Sequence, residues 1–117
     1  MFNHKYYISI LIFISWQIHA QAIQQKSENE LVVSFISIGS GIDYKATEQL
    51  SVFTKDFQHK HHVQLDVAIK HWGREGEMDY TYTLKKLSKK QRKLFIEKIE
   101  VLFANNNRVK ITHQSEN

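Results

Sequence analysis

The 117-residue chain contains no cysteine and no proline, and only four glycines. Without cysteine there can be no disulfide and no lipid-modified cysteine. Small extracellular domains of animals usually carry disulfide staples, so an exported protein of this composition is expected to be bacterial and to rest on its own apolar core. Without proline, the sharp turns fall to glycine, for which positive φ costs least. All four glycines lie in two short polar segments, Gly39-Ser40-Gly41-Ile42-Asp43 and His71-Trp72-Gly73-Arg74-Glu75-Gly76-Glu77. The apolar run over residues 6–16 is interrupted by Ser9 and Ser15 and falls short of the ~20 residues that a helix needs to cross a bilayer. A large charge of one sign is lacking too. The net charge of +4 is modest and does not by itself imply nucleic acid.

The apolar run makes sense in its setting. His4 and Lys5 precede it, and Ala20-Gln21-Ala22 follows it as an A-x-A cleavage signal. Residues 1–22 therefore read as a secretory signal peptide, giving a periplasmic or secreted product with no transmembrane segment after cleavage. Removing 22 of 117 residues leaves 95, enough for one small domain. Residues 23–30 are polar and read as a flexible lead-in, and residues 114–117 as a tail.

Between them the hydrophobic pattern alternates between two periods. Residues 31–38 are apolar and β-branched on both faces, as in a central strand. Ala46, Leu50, Phe53 and Phe57 then recur at helical spacing, with Ser40 or Asp43 placed to cap the helix. Val63, Leu65, Val67 and Ile69 alternate with polar neighbours, and so do Met78, Tyr80, Tyr82 and Leu84, so the two runs form a hairpin around the second glycine segment. Ser88 and Gln91 have the spacing of a capping box. The helix they open should bury Phe95, Ile99 and Leu102, with Leu94 and Phe103 at its margins, and stop at Asn105-Asn106-Asn107. Val109 and Ile111 point to a last strand.

The order βαββαβ over residues 31–113 resembles the ferredoxin-like α+β arrangement. The resemblance implies a four-stranded antiparallel sheet in the order 4-1-3-2 with both helices on one face. It also gathers the loop after the first strand, the hairpin loop and the Asn105-Asn106-Asn107 turn at one end. The two glycine segments, about thirty residues apart in sequence, are thereby expected to be neighbours. At the opposite end the topology collects His59, His61 and His62 with Lys85, Lys86, Lys89 and Lys90.

The glycine-rich end holds the candidate ligand-binding set: Ser40, Asp43, His71, Trp72, Arg74 and Glu75. Amides near a helix start can receive an anion. Arg74 offers a bidentate fork, Trp72 a stacking face, and His71 a group that titrates near neutrality. The bland reading is an ordinary solvated hairpin turn beside a helix cap. No nucleophile, base and orienting group stand at recognisable spacing, so a binding module for a small ligand or protein partner is expected ahead of a small enzyme using the same end. No cofactor is expected. His59, His61 and His62 are weak candidates for a divalent metal, since no cysteine exists and no carboxylate completes a set. The lysines could meet an anionic surface, but they lack the interleaved aromatics of a nucleic-acid site. The two-sided apolar character of the first strand suggests a homodimer packed through the open face of the sheet.

Overall fold

The computed structural model describes residues 29–114, so the expected signal segment, most of the expected lead-in and the last three residues lie outside the described residues. Strand β1 (Glu30–Phe35) lies inside a four-stranded antiparallel sheet with β2 (Asp66–His71), β3 (Met78–Thr83) and β4 (Val109–Gln114), in the order β2-β3-β1-β4. Helix α1 (Tyr44–His61) connects β1 to β2, and α2 (Lys89–Leu102) connects β3 to β4. This is the ferredoxin-like α+β topology, with the strand order that the sequence pattern predicts.

Register decides which side chains meet the helices. Leu31, Val33 and Phe35 stand opposite Tyr82, Tyr80 and Met78 on β3, and opposite His113, Ile111 and Val109 on β4. Cross-strand partners share a face, and both helices pack on this one. Phe95 of α2 meets Tyr82 of the sheet and Phe57 of α1, each at 5.1 Å between ring centroids. Phe35 packs edge-on against Tyr80 and Phe103. The Tyr82 hydroxyl donates to Thr54 Oγ1 at 2.8 Å, and Thr54 in turn donates to the Leu50 carbonyl at 2.8 Å. This chain of hydrogen bonds moors α1 over β3. Burial pushes the Tyr82 phenol up to about 12, partly opposed by the Thr54 hydrogen bond.

The helix ends follow the side-chain chemistry. Asp43, rather than Ser40, caps α1: its carboxylate accepts from the Ala46 amide at 3.1 Å. Ser88 and Gln91 close a full capping box on α2, each side chain accepting from the other's amide at 3.1 Å. At the far end of α1, His62 adopts a left-handed conformation, φ 51°. Gln58 then holds the exit, its carbonyl accepting from Val63 N–H and its side chain from Leu65 N–H.

The structure corrects the sequence pattern in several places. β1 takes in Glu30 and ends at Phe35, three residues short of Ile38, and β4 takes in Gln114. β2 begins at Asp66, not Val63. Of its expected stripe, Leu65 is buried and Val63 half-buried in the segment before the strand, whereas Val67 and Ile69 are 38% and 53% exposed. The reason is position: β2 is the outer strand, and α1 is moored one strand further in. On α2 the buried residues are Phe95, Ile96, Ile99 and the C-cap Phe103, while Leu102 is exposed. The open face of the sheet is polar. Ser34, Asp79, Thr81, Lys110 and Thr112 surround Val32, and Ile36 and Ile38 lie beyond the strand. That composition gives a sheet-to-sheet apolar dimer little to bury.

Candidate functional site

The end of the sheet where β1 finishes is built by three loops that lock together. Gly41 (φ 92°) lies against the hairpin: a Cβ there would be in ordinary contact, 3.8 Å, with the Glu75 carbonyl oxygen. A Cβ on Gly76 (φ 91°) would reach to 2.9 Å from the Tyr44 hydroxyl. The two glycine segments are thus packed against each other, as the topology predicts. From the third loop, Asn106 donates to Asp43 at 3.0 Å and Arg108 to the Gly41 carbonyl at 2.8 Å.

Ser37 is the centre of this arrangement. Its hydroxyl accepts from the Gly39 amide at 3.1 Å and the Gly41 amide at 3.0 Å, and donates to the Glu75 carboxylate. Glu77 repeats the device inside the hairpin, accepting from the Glu75 amide at 2.8 Å. Its carboxylate fills the space a Cβ on Gly73 would need.

The predicted site residues therefore divide in two. Asp43 and Glu75 serve as fasteners: Asp43 is half-buried, and Glu75, though exposed, is held by the Ser37 hydroxyl. The Ala46 amide, then Asn106, and then the Arg108 guanidinium hold the Asp43 carboxyl below its ordinary range. Its capping contribution is present at neutral pH and is lost as pH falls through that lowered pKa. Ser40, His71, Trp72 and Arg74 are exposed. Trp72 is the best held of these: its indole N–H donates to Asp79 at 2.9 Å, and its backbone N–H to the Glu77 carbonyl at 3.0 Å. Tyr44 and Ile38, 64% and 63% exposed, join them at the same end.

Sequence reasoning missed Ser37, Tyr44, Asn106 and Arg108. A hydroxyl two residues before a glycine was the available signal for Ser37, because such a side chain can bond the amides that follow it. Tyr44 and Arg108 carry no local signal, since only the assembled loops reveal their neighbours.

At the opposite end the histidines do not converge. His61 lies under Phe57, with ring centroids 4.3 Å apart, and His62 is the C-cap. Among the described residues, no group of three His, Cys, Asp or Glu side chains is placed to hold a metal ion. Lys86 pairs with Asp66 at 3.2 Å on the surface, an exposed contact of small energetic weight. A groove of about 550 Å³ runs elsewhere, along α1 beside the end of α2, lined by Lys45, Val52, Phe53, Asp56 and Leu102 among others.

No protein-family model and no curated protein matches this chain.

Proposed function

We propose that the protein is an exported, non-enzymatic binding module that contacts another protein through the end carrying Ile38, Tyr44, Trp72 and Arg74. Residues 1–22 support export. The observation that carries the binding reading is the division of labour at this end. Ser37, Asp43, Glu75 and Glu77 are engaged in fixing the loops, while two aromatic side chains, an isoleucine and an arginine stand exposed on them. Rigidly presented Trp, Tyr and Arg are the residue types that dominate protein-binding energetics. The exposure of His71, Arg74 and Glu75 suits an open contact surface better than the concave, partly dry pocket that catalysis requires.

The test is quantitative cross-linking in the producing cells. Wild type is compared with Trp72→Ala/Arg74→Ala and with Lys89→Ala/Lys90→Ala at the opposite end. The reading expects a partner cross-linked to wild type and to the lysine variant, and reduced more than about tenfold for the Trp72/Arg74 variant. A partner retained by the Trp72/Arg74 variant would sink it, and loss confined to the lysine variant would move the contact to the basic end.

A further inference from the structure

We infer that strand β2 is a self-complementary edge through which two copies of this chain join their sheets. β2 is an outer strand, and all six of its residues are exposed. Among the described residues no strand pairs with its outer side. Such an edge, left regular and apolar, is a template for another strand.

The order of its side chains specifies which strand. Two copies of one strand, pairing antiparallel about a two-fold axis, must centre on a single residue, because partners share a face. With Ala68 at the centre, Asp66 of one copy stands opposite Lys70 of the other, and Lys70 opposite Asp66. Val67 stands opposite Ile69, and Ile69 opposite Val67. The charged pairs fall on the open face of the joined sheet, with the small Ala68 side chains between them at the axis. The apolar pairs fall on the helix face, where they cover the side chains left 38% and 53% exposed in one copy. Shifting the centre by one residue either way loses both Asp66–Lys70 pairs, and centring on Ile69 also sets Val67 opposite His71. β4 has no such register, since Lys110 and His113 stand on that strand without an acidic residue.

The backbone agrees. Trp72 donates its N–H inward to the Glu77 carbonyl. Along a strand, successive residues direct their polar groups to opposite sides. The N–H and C=O of Asp66, Ala68 and Lys70 therefore serve β3, and those of Val67 and Ile69 point outward. In the Ala68-centred register, Val67 and Ile69 face each other as hydrogen-bonding pairs, so the outward groups satisfy one another. Asp66 also meets Lys86, and Lys70 stands across from Asp79 on β3. Both of those contacts lie within one copy and leave the outer edge accessible. The contact is small for a protein interface, so association is expected to depend on concentration.

The test is light scattering and sedimentation equilibrium on the protein as its cells release it. Wild type is expected to dimerise with rising concentration. Asp66→Lys alone and Lys70→Asp alone each set like charges across the edge, and each should weaken the dimer by about tenfold. An equimolar mixture of these two variants, and the double variant Asp66→Lys/Lys70→Asp, both restore opposite charges and should recover association. Ile69→Pro removes an outward donor while leaving the bonds to β3, and should abolish the dimer with an unchanged far-ultraviolet spectrum. A wild-type monomer at every concentration overturns the proposal. So does a dimer indifferent to the single reversals, or single reversals that the mixture fails to rescue. The exposed charge variants keep the test decisive if Ile69→Pro does not fold.

Discussion

β4 and β2 are both six-residue edge strands on the same core, and they end the sheet differently. On β4, Val109 and Ile111 are half-buried and pack against the core cluster, and His113 meets Glu100 of α2 at 3.2 Å. On β2 the equivalent apolar side chains, Val67 and Ile69, stand in solvent. The cause is where the helices are moored. α2 delivers Glu100 to β4, whereas α1 is tied through Thr54 to Tyr82, one strand inside β2. A sheet of four strands under two helices has more width than cover, and this chain leaves the uncovered width on β2.

The largest test of that account is to remove the side chain on which both helices depend. Phe95 is fully buried and touches Phe53, Phe57 and Tyr82. Phe95→Ala should lower stability by about 3–5 kcal/mol in a denaturant titration, and a loss below about 1 kcal/mol would show that the two sides of the domain do not share one core.

Ionising Tyr82 acts first on the hydrogen bond that moors α1, on the β2 side of the domain. Its phenol is raised from 10.0 to about 12, so the folded protein holds the proton more tightly than the unfolded chain. The corresponding stability is complete below pH 10 and falls away as pH rises toward 12, by about 2–3 kcal/mol in total. Tyr82→Phe should remove that alkaline loss. Amide exchange followed over the same range should show α1 and β2 loosening before β4.

The smallest test compares the two edges directly. Ile111→Ala on β4 should cost about 1–2 kcal/mol, and Ile69→Ala on β2 less than about 0.5 kcal/mol in dilute solution. Equal costs would abolish the distinction between covered and uncovered edge.

The sequence disclosed much of this architecture because local chemistry and fold agree. The Ser88–Gln91 box, the Asp43 cap and the alternation at Tyr80 and Tyr82 each carry a signal within a few residues, and each formed where expected. What stayed hidden depends on neighbours distant in sequence. Alternation marks Val67 and Ile69 as one face of a strand, but only the offset of α1 decides that this face is exposed. At the loop end, Glu75 looks like a free carboxylate until Ser37, 38 positions away, is seen to hold it. Leu102 and Phe103 exchange roles because the helix ends at Leu102, and its cap residue turns inward.

The pairing of Glu30 with Gln114 places the first and last strand residues side by side. The first and last strands of the described residues therefore begin and end at the basic end, the one farthest from Trp72 and Arg74. A tether attached at Glu30 or Gln114 leaves the three interlocked loops pointing away from the point of attachment. The same closeness allows the two ends to be joined by a short linker and the chain reopened elsewhere, a circular permutation in which every strand keeps its neighbours.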